Sequence, residues 1–254
     1  MTRECIRSQA ASVSRVGLFG AASFLLVAWC CTLAVAQGAD AGPGARVWVP
    51  AMKMVHERFT GERGTLALFG DSITTSRAFW FDLQYAREGD DREMRQALGL
   101  VKSYMLQDCW DRRGPEYGNQ GRMTIRWAHK NIDRWLKRLN PEVALIMFGT
   151  NDLNSVGLDE YKDKTRAVVQ KCLDNGTVVI LSTIPPRHGF VDNAAVYAEA
   201  VRKIAREKKV PLVDFHAEIL KRRPNDWDGA LDEFARYKGY DVPTLLARDG
   251  VHPS

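Results

Sequence analysis

Two short polar clusters hold the residue types of nucleophilic acyl transfer: Gly70-Asp71-Ser72-Ile73, and a closing turn Asp249-Gly250-Val251-His252. A serine hydroxyl is a poor nucleophile at neutral pH. It needs a base within hydrogen-bond reach, and the base needs an acceptor that fixes its tautomer. His252 and Asp249 supply both types three residues apart on one loop, with one ring nitrogen against the carboxylate and the other able to face Ser72. The oxyanion formed during such a reaction needs preorganised donors. Suitable ones are the backbone N–H groups of Ser72 and Gly121 and the side-chain amide of Asn151, in Gly149-Thr150-Asn151-Asp152. Asp71 and Asp152 read as carboxylates that shape their own turns.

The elements that must position these residues are legible as apolar runs. Thr65 to Phe69, Val143 to Phe148, Thr177 to Leu181 and Val210 to Val213 are rich in Val, Ile, Leu or Phe without alternation. That is the pattern of parallel strands covered on both faces. Ala128, Ile132, Trp135, Leu136 and Leu139 fall on one helical face before the second run, and Asn140-Pro141 stops that helix. Residues 159–173 make a further helix closed by Asn175-Gly176, and Ala194, Tyr197, Ala198, Val201, Ile204 and Ala205 mark another. Strands alternating with helices predict an α/β domain with a mainly parallel sheet and right-handed crossovers. The stretch from Arg77 to Gly118 is weakly patterned and is expected to hold an inserted helical segment and one poorly marked strand. Ligands of such sheets bind beyond the carboxyl ends of the strands, where the polar motifs stand.

Composition excludes other classes. With 45% apolar and 26% charged residues the chain is no disordered polymer. Arg3, Arg7 and Arg15 precede an apolar run, Val16 to Ala36, that closes in Ala34-Val35-Ala36. This predicts a signal peptide over residues 1–36, cleaved after Ala36, and a secreted or periplasmic protein; a retained membrane anchor is the competing reading, since the run is about long enough to span a bilayer. Residues 37–60 read as linker and N-terminal extension, and 61–254 as the domain. Loss of three arginines and Glu4 with the leader lowers the formal charge from +5 to +3. The remaining charges are interspersed, so nucleic acid is not an expected partner.

Cys109 and Cys172 are the two cysteines left after the leader, either bridged or two buried thiols. His56, His129 and His216 lack acidic or thiol partners at ligand spacing, so no metal or other cofactor is expected. His188 reads as a solvated loop residue. Core packing accounts for most tryptophans of this kind, and Trp135 belongs to the helix core face; Trp80 and Trp110 have more freedom, and stacking on a sugar in a cleft is the lesser reading for them.

Taken in order, these blocks resemble those of the GDSL, or SGNH, hydrolase superfamily, from about Thr65 to the end. The first block supplies the serine, matching Ser72; the second a glycine in an Asn-x-Gly context, matching Asn119-Gln120-Gly121. The third supplies the asparagine of Gly-x-Asn-Asp, matching Asn151, and the last is Asp-x-x-His-Pro, matching Asp249 and His252. The resemblance implies a three-layer α/β/α, flavodoxin-like fold. It implies a serine esterase or acylhydrolase that cleaves carboxylic esters through an acyl-enzyme, without a metal. The predicted leader makes it a secreted one, and with no long apolar stretch in the mature chain to suggest a lipid tunnel, the expected substrates are small-molecule or carbohydrate esters, O-acetyl sugars ahead of short-chain esters and lysophospholipids. An O-acyltransferase using the same triad, or a catalytically weak carbohydrate-binding protein of this fold, are the alternatives. Two departures stand out. Arg122-Met123-Thr124 lacks the further glycine often seen after the second block, and the chain stops two residues past His252, where family members continue into a helix. Ser254 would N-cap that helix, so the expectation is a domain truncated at its C-terminus.

Overall fold

The computed structural model describes residues 47–85 and 90–224. Four parallel strands form one sheet: β1 (Leu66–Gly70), β2 (Val143–Met147), β3 (Val178–Ser182) and β4 (Leu212–Val213). They lie in sequence order, with Leu66 opposite Val143 and Val143 opposite Val178. Each apolar run predicted from the sequence is a strand, displaced by no more than a residue or two at its ends. The crossovers carry α4 (Ile125–Leu139), α5 (Leu158–Asp174) and α6 (Val191–Lys208), after α2 (Ser72–Thr75) and α3 (Arg92–Tyr104) in the first connection; α7 (Phe215–Arg222) follows β4.

Helices cover both sides of the sheet. Helices α4, α5 and α6 pack side by side as one layer. On β3, Val179 and Leu181 are buried, while Val178, pointing the opposite way, lines a hollow with Trp48, Val49 and Met52 of α1 (Trp48–His56). The stretch assigned to a linker and N-terminal extension therefore includes, from Val47 on, a helix whose Met52 and Val55 join the core. This helix is fastened at the edge of the sheet remote from the candidate site. Glu142, just ahead of β2, accepts from Gly64 N–H (2.5 Å) and Tyr104 O–H (2.7 Å) and pairs with His56 Nε2 (2.7 Å).

Helix ends follow local chemistry. Asn140, in the left-handed region at φ 33°, closes α4 ahead of Pro141, and Lys209 closes α6 at φ 52°. Helix α4 buries Ile125, Ala128, Ile132, Trp135 and Leu136 on one stripe, the stripe read from the sequence. Cys109 and Cys172 are both free and buried, so the unbridged alternative is the one realised.

Between Arg77 and Gly118 the described residues contain helical turns and α3 but no strand, which corrects the expectation of one there. Gly114 and Gly118 take φ of 118° and 87°, and Pro115 has no N–H to give to a ladder. The open edge of β1 is satisfied piece by piece instead. Leu66 N–H donates to Cys109 Sγ (3.3 Å) and Leu68 O accepts from Asn119 Nδ2 (3.0 Å). Gly70 N–H donates to Gly118 O (3.1 Å), and Gly70 O accepts from Gln120 N–H (3.2 Å). Gly118 has no room for a side chain, since a methyl there would lie 2.3 Å from the Phe69 ring.

Candidate active site

The strand-to-helix turn after β1 sets the position of Ser72. A methyl at Gly70 would lie 2.0 Å from Thr74 Oγ1 and 2.7 Å from Met147 O, so only glycine lets the chain turn directly into α2. Asp71, 1% exposed, is the N-cap of α2 and accepts from Ile73 N–H through Oδ1 at 3.1 Å. Ser72 is the first helical residue, half-buried at the carboxyl edge of the sheet.

Asn151 arrives from the turn after β2. Gly149 at φ 141° lets its carbonyl accept from both Asp152 N–H (3.0 Å) and Leu153 N–H (3.1 Å). Asn151 Nδ2 then donates to Asp71 Oδ2 and to Met123 O, each at 3.2 Å. Gly121 follows the pieced-together edge of β1, and a methyl built on it would lie 3.7 Å from Ser72 Cβ. Three of the residues singled out in the sequence, Ser72, Gly121 and Asn151, thus gather around one turn. Asp249 and His252 lie outside the described residues.

Residues 68–254 match the family model described as the GDSL-like lipase/acylhydrolase family. The chain belongs to that family. A second comparison agrees: the chain is 30% identical over 203 residues to an isoamyl acetate-hydrolyzing esterase of Saccharomyces cerevisiae, covering 69% of this chain and 80% of the yeast protein. Among solved structures it is similar to a catalytic mutant of Axe2, an acetylxylan esterase from Geobacillus stearothermophilus, at 21% identity and TM-score 0.48 over 77% of this chain and 89% of that one. It is also similar to a putative lipolytic protein of the G-D-S-L family from Desulfitobacterium hafniense, at 18% identity and TM-score 0.49 over 75% and 91%. Membership of the GDSL family carries the coarse activity, that of an esterase or acylhydrolase.

In this GDSL hydrolase the carboxylate after Asn151 does more than shape its own turn. Asp152 is 0% exposed, and its Oδ1 accepts from Ile125 N–H, the first residue of α4, at 2.9 Å. Thr124, the N-cap of α4, makes no side-chain cap, and the first turn of that helix carries no acidic residue. Asp152 therefore caps α4 from another segment of the chain. Burial pushes its carboxyl up to about 7, with the neighbouring Asp71 adding to the shift against the opposing pull of the Ile125 N–H. The sequence carried no signal for this contact: Thr124 is itself a residue type that caps helices, and its side chain makes no cap in the structure.

Trp110 takes the core-packing reading and not the sugar-stacking one. It is 4% exposed and its ring stacks on Trp80 at 5.4 Å, so that face is already taken by protein.

Proposed function

We propose that the chain hydrolyses short-chain carboxylic esters through an acyl-enzyme on Ser72. The observation that carries this reading is the convergence of Ser72, Gly121 and Asn151 on the β1–α2 turn, since a nucleophile and oxyanion donors are needed around one reacting carbon. His252, oriented by Asp249, takes the Ser72 proton as Oγ bonds to the ester carbonyl carbon. The tetrahedral oxyanion is received by the N–H groups of Ser72 and Gly121 and by Asn151. When the carbon–oxygen bond breaks, His252 returns the proton to the leaving alcohol. Water, deprotonated by His252, then attacks the acyl-enzyme and releases the acid and free Ser72.

Asn151 must change partners in this scheme, because both of its Nδ2 hydrogens are engaged. The contact with Asp71 has an acidic acceptor and the contact with Met123 a neutral carbonyl, both at 3.2 Å. The neutral one is the weaker of the two and is the one exchanged for the oxyanion.

The yeast relative is named for hydrolysing an acetate ester, which supports an acetyl-sized acyl group here. O-acetyl groups on sugars are the alcohol side we favour. The arginine-led apolar segment over residues 1–36 supports export before action.

A serine-reactive fluorophosphonate and a panel of p-nitrophenyl esters beside acetylated xylan and chitin fragments test the reading. Wild type should be labelled and Ser72→Ala should not, with acetate the best acyl group. Labelling that survives Ser72→Ala, or an enzyme that prefers long acyl chains, would overturn it.

A further inference from the structure

The segment between Gly121 and α4 is held at three points and strained at one. Gln120 N–H is bonded to Gly70 O (3.2 Å), Met123 O accepts from Asn151 (3.2 Å), and Ile125 N–H donates to Asp152 (2.9 Å). Between these ties Arg122 adopts φ 66°, a left-handed conformation that costs a residue with a Cβ on the order of 1 kcal/mol and persists only where its surroundings impose it. The Gly121 amide is one residue from that strained turn. If Asn151 releases Met123 to serve an oxyanion, one of the two ties beyond Arg122 is lost at the moment when the Gly121 amide must stay in place.

We infer that Asp152 is the standing tether of this loop: a positioning residue that holds Ile125, and through it Arg122 and the Gly121 amide, while Asn151 exchanges Met123 for the developing oxyanion. The arrangement suits that task. Asp152 is fully buried at the start of the short turn Asp152–Asn154, on the residue next to Asn151, so the exchanging group and the tether share one backbone. Its bond reaches a backbone N–H that the N-cap Thr124 leaves uncapped. Its second oxygen, Oδ2, has no hydrogen-bond partner among the described residues, so the bond from Ile125 N–H is the described hydrogen bond that ties this carboxylate outside its own turn. This inference rests on the roles proposed above for Gly121 and Asn151.

The test compares hydrogen exchange and ester hydrolysis in the full chain. Asp152→Ala should speed exchange of the peptide spanning 119–126 at least tenfold, leave the β3 peptide unchanged, and lower kcat by roughly ten- to a hundredfold with KM within about twofold. Asp152→Asn, which keeps an acceptor oxygen for Ile125 N–H, should restore protection and most of kcat. If Asp152→Ala does not fold, hydrogen exchange of the wild type decides the matter: the Ile125 amide should be among the slowest of the 119–126 segment, and an Ile125 amide exchanging as fast as that of an exposed loop would overturn the tether. Unchanged exchange in the variants, or loss spread evenly over the domain with no rescue by Asn, would overturn the tether. A wild type without esterase activity would instead refute the proposed function, and the exchange measurements would still judge the tether.

Discussion

Asp71 joins the turn that holds Ser72 to the turn that holds Asn151 through its two carboxylate oxygens: Oδ1 caps α2 at Ile73, and Oδ2 accepts from Asn151 Nδ2 at 3.2 Å. The residue before Ser72 thereby aims a side chain eighty positions further along.

Asp71→Ala should separate these tasks by magnitude. Loss of the cap costs about 1 kcal/mol of stability, whereas a misdirected Asn151 should lower kcat/KM by roughly a hundredfold. Denaturant melts and p-nitrophenyl acetate kinetics on one preparation check both. Equal and small effects would show that Asn151 holds its place without Asp71.

Gly121→Ala should leave the fold intact, because the added methyl meets Ser72 Cβ at an ordinary 3.7 Å. It would stand beside Ser72 Cβ, on the residue whose N–H is proposed to receive the oxyanion. The expected result is a Tm close to wild type and a loss of about tenfold or more in kcat/KM.

Asp152 predicts a particular pH dependence of stability. Its folded carboxyl is raised to about 7 by burial, above its unfolded value, so between roughly pH 4 and 7 the native state binds more protons than the unfolded one. The contribution is complete below the unfolded value and is lost as pH rises through 7. Asp152→Asn should flatten that limb, as measured by denaturant melts at half-unit pH steps, and an identical slope in the variant would refute the assignment.

Glu142 should affect stability without touching the chemistry. It is buried at the opposite edge of the sheet, and although burial raises its carboxyl, the bonds from Tyr104, Gly64 and His56 bring it below the ordinary carboxylate range. Its stabilisation is therefore present above the unfolded value and is lost as pH falls through the lower folded one. Glu142→Ala leaves the buried Gly64 N–H without its acceptor and should cost about 1–3 kcal/mol, with kcat unchanged.

The strands were legible because burial on both faces leaves uninterrupted Val, Ile and Leu, and the motif residues were legible because they follow those runs directly. The role of Asp152 was not, since its partner Ile125 lies twenty-seven positions back and no local pattern links them. Helix α1 was hidden for another reason: Met52 and Val55 are its two buried residues, too few to mark an apolar stripe. The missing strand misled because Gly114, Pro115 and Gly118 reshape a segment that still runs beside β1 at Asn119. Trp110 was left between core packing and sugar stacking because a tryptophan in an irregular segment shows nothing in the sequence of the ring that covers it.

The piecemeal closure of β1 also bears on how this protein behaves in a crowd. An exposed sheet edge is a template on which a second chain can add a strand. Here Cys109, Gly118, Asn119 and Gln120 already occupy groups such a strand would need: a thiol and a side-chain amide take Leu66 and Leu68, and a single parallel bridge between Gly70 and Asn119 takes the end of the strand. An incoming strand would have to displace all of them, so the edge that brings Gly121 to Ser72 also guards the sheet against edge-to-edge aggregation.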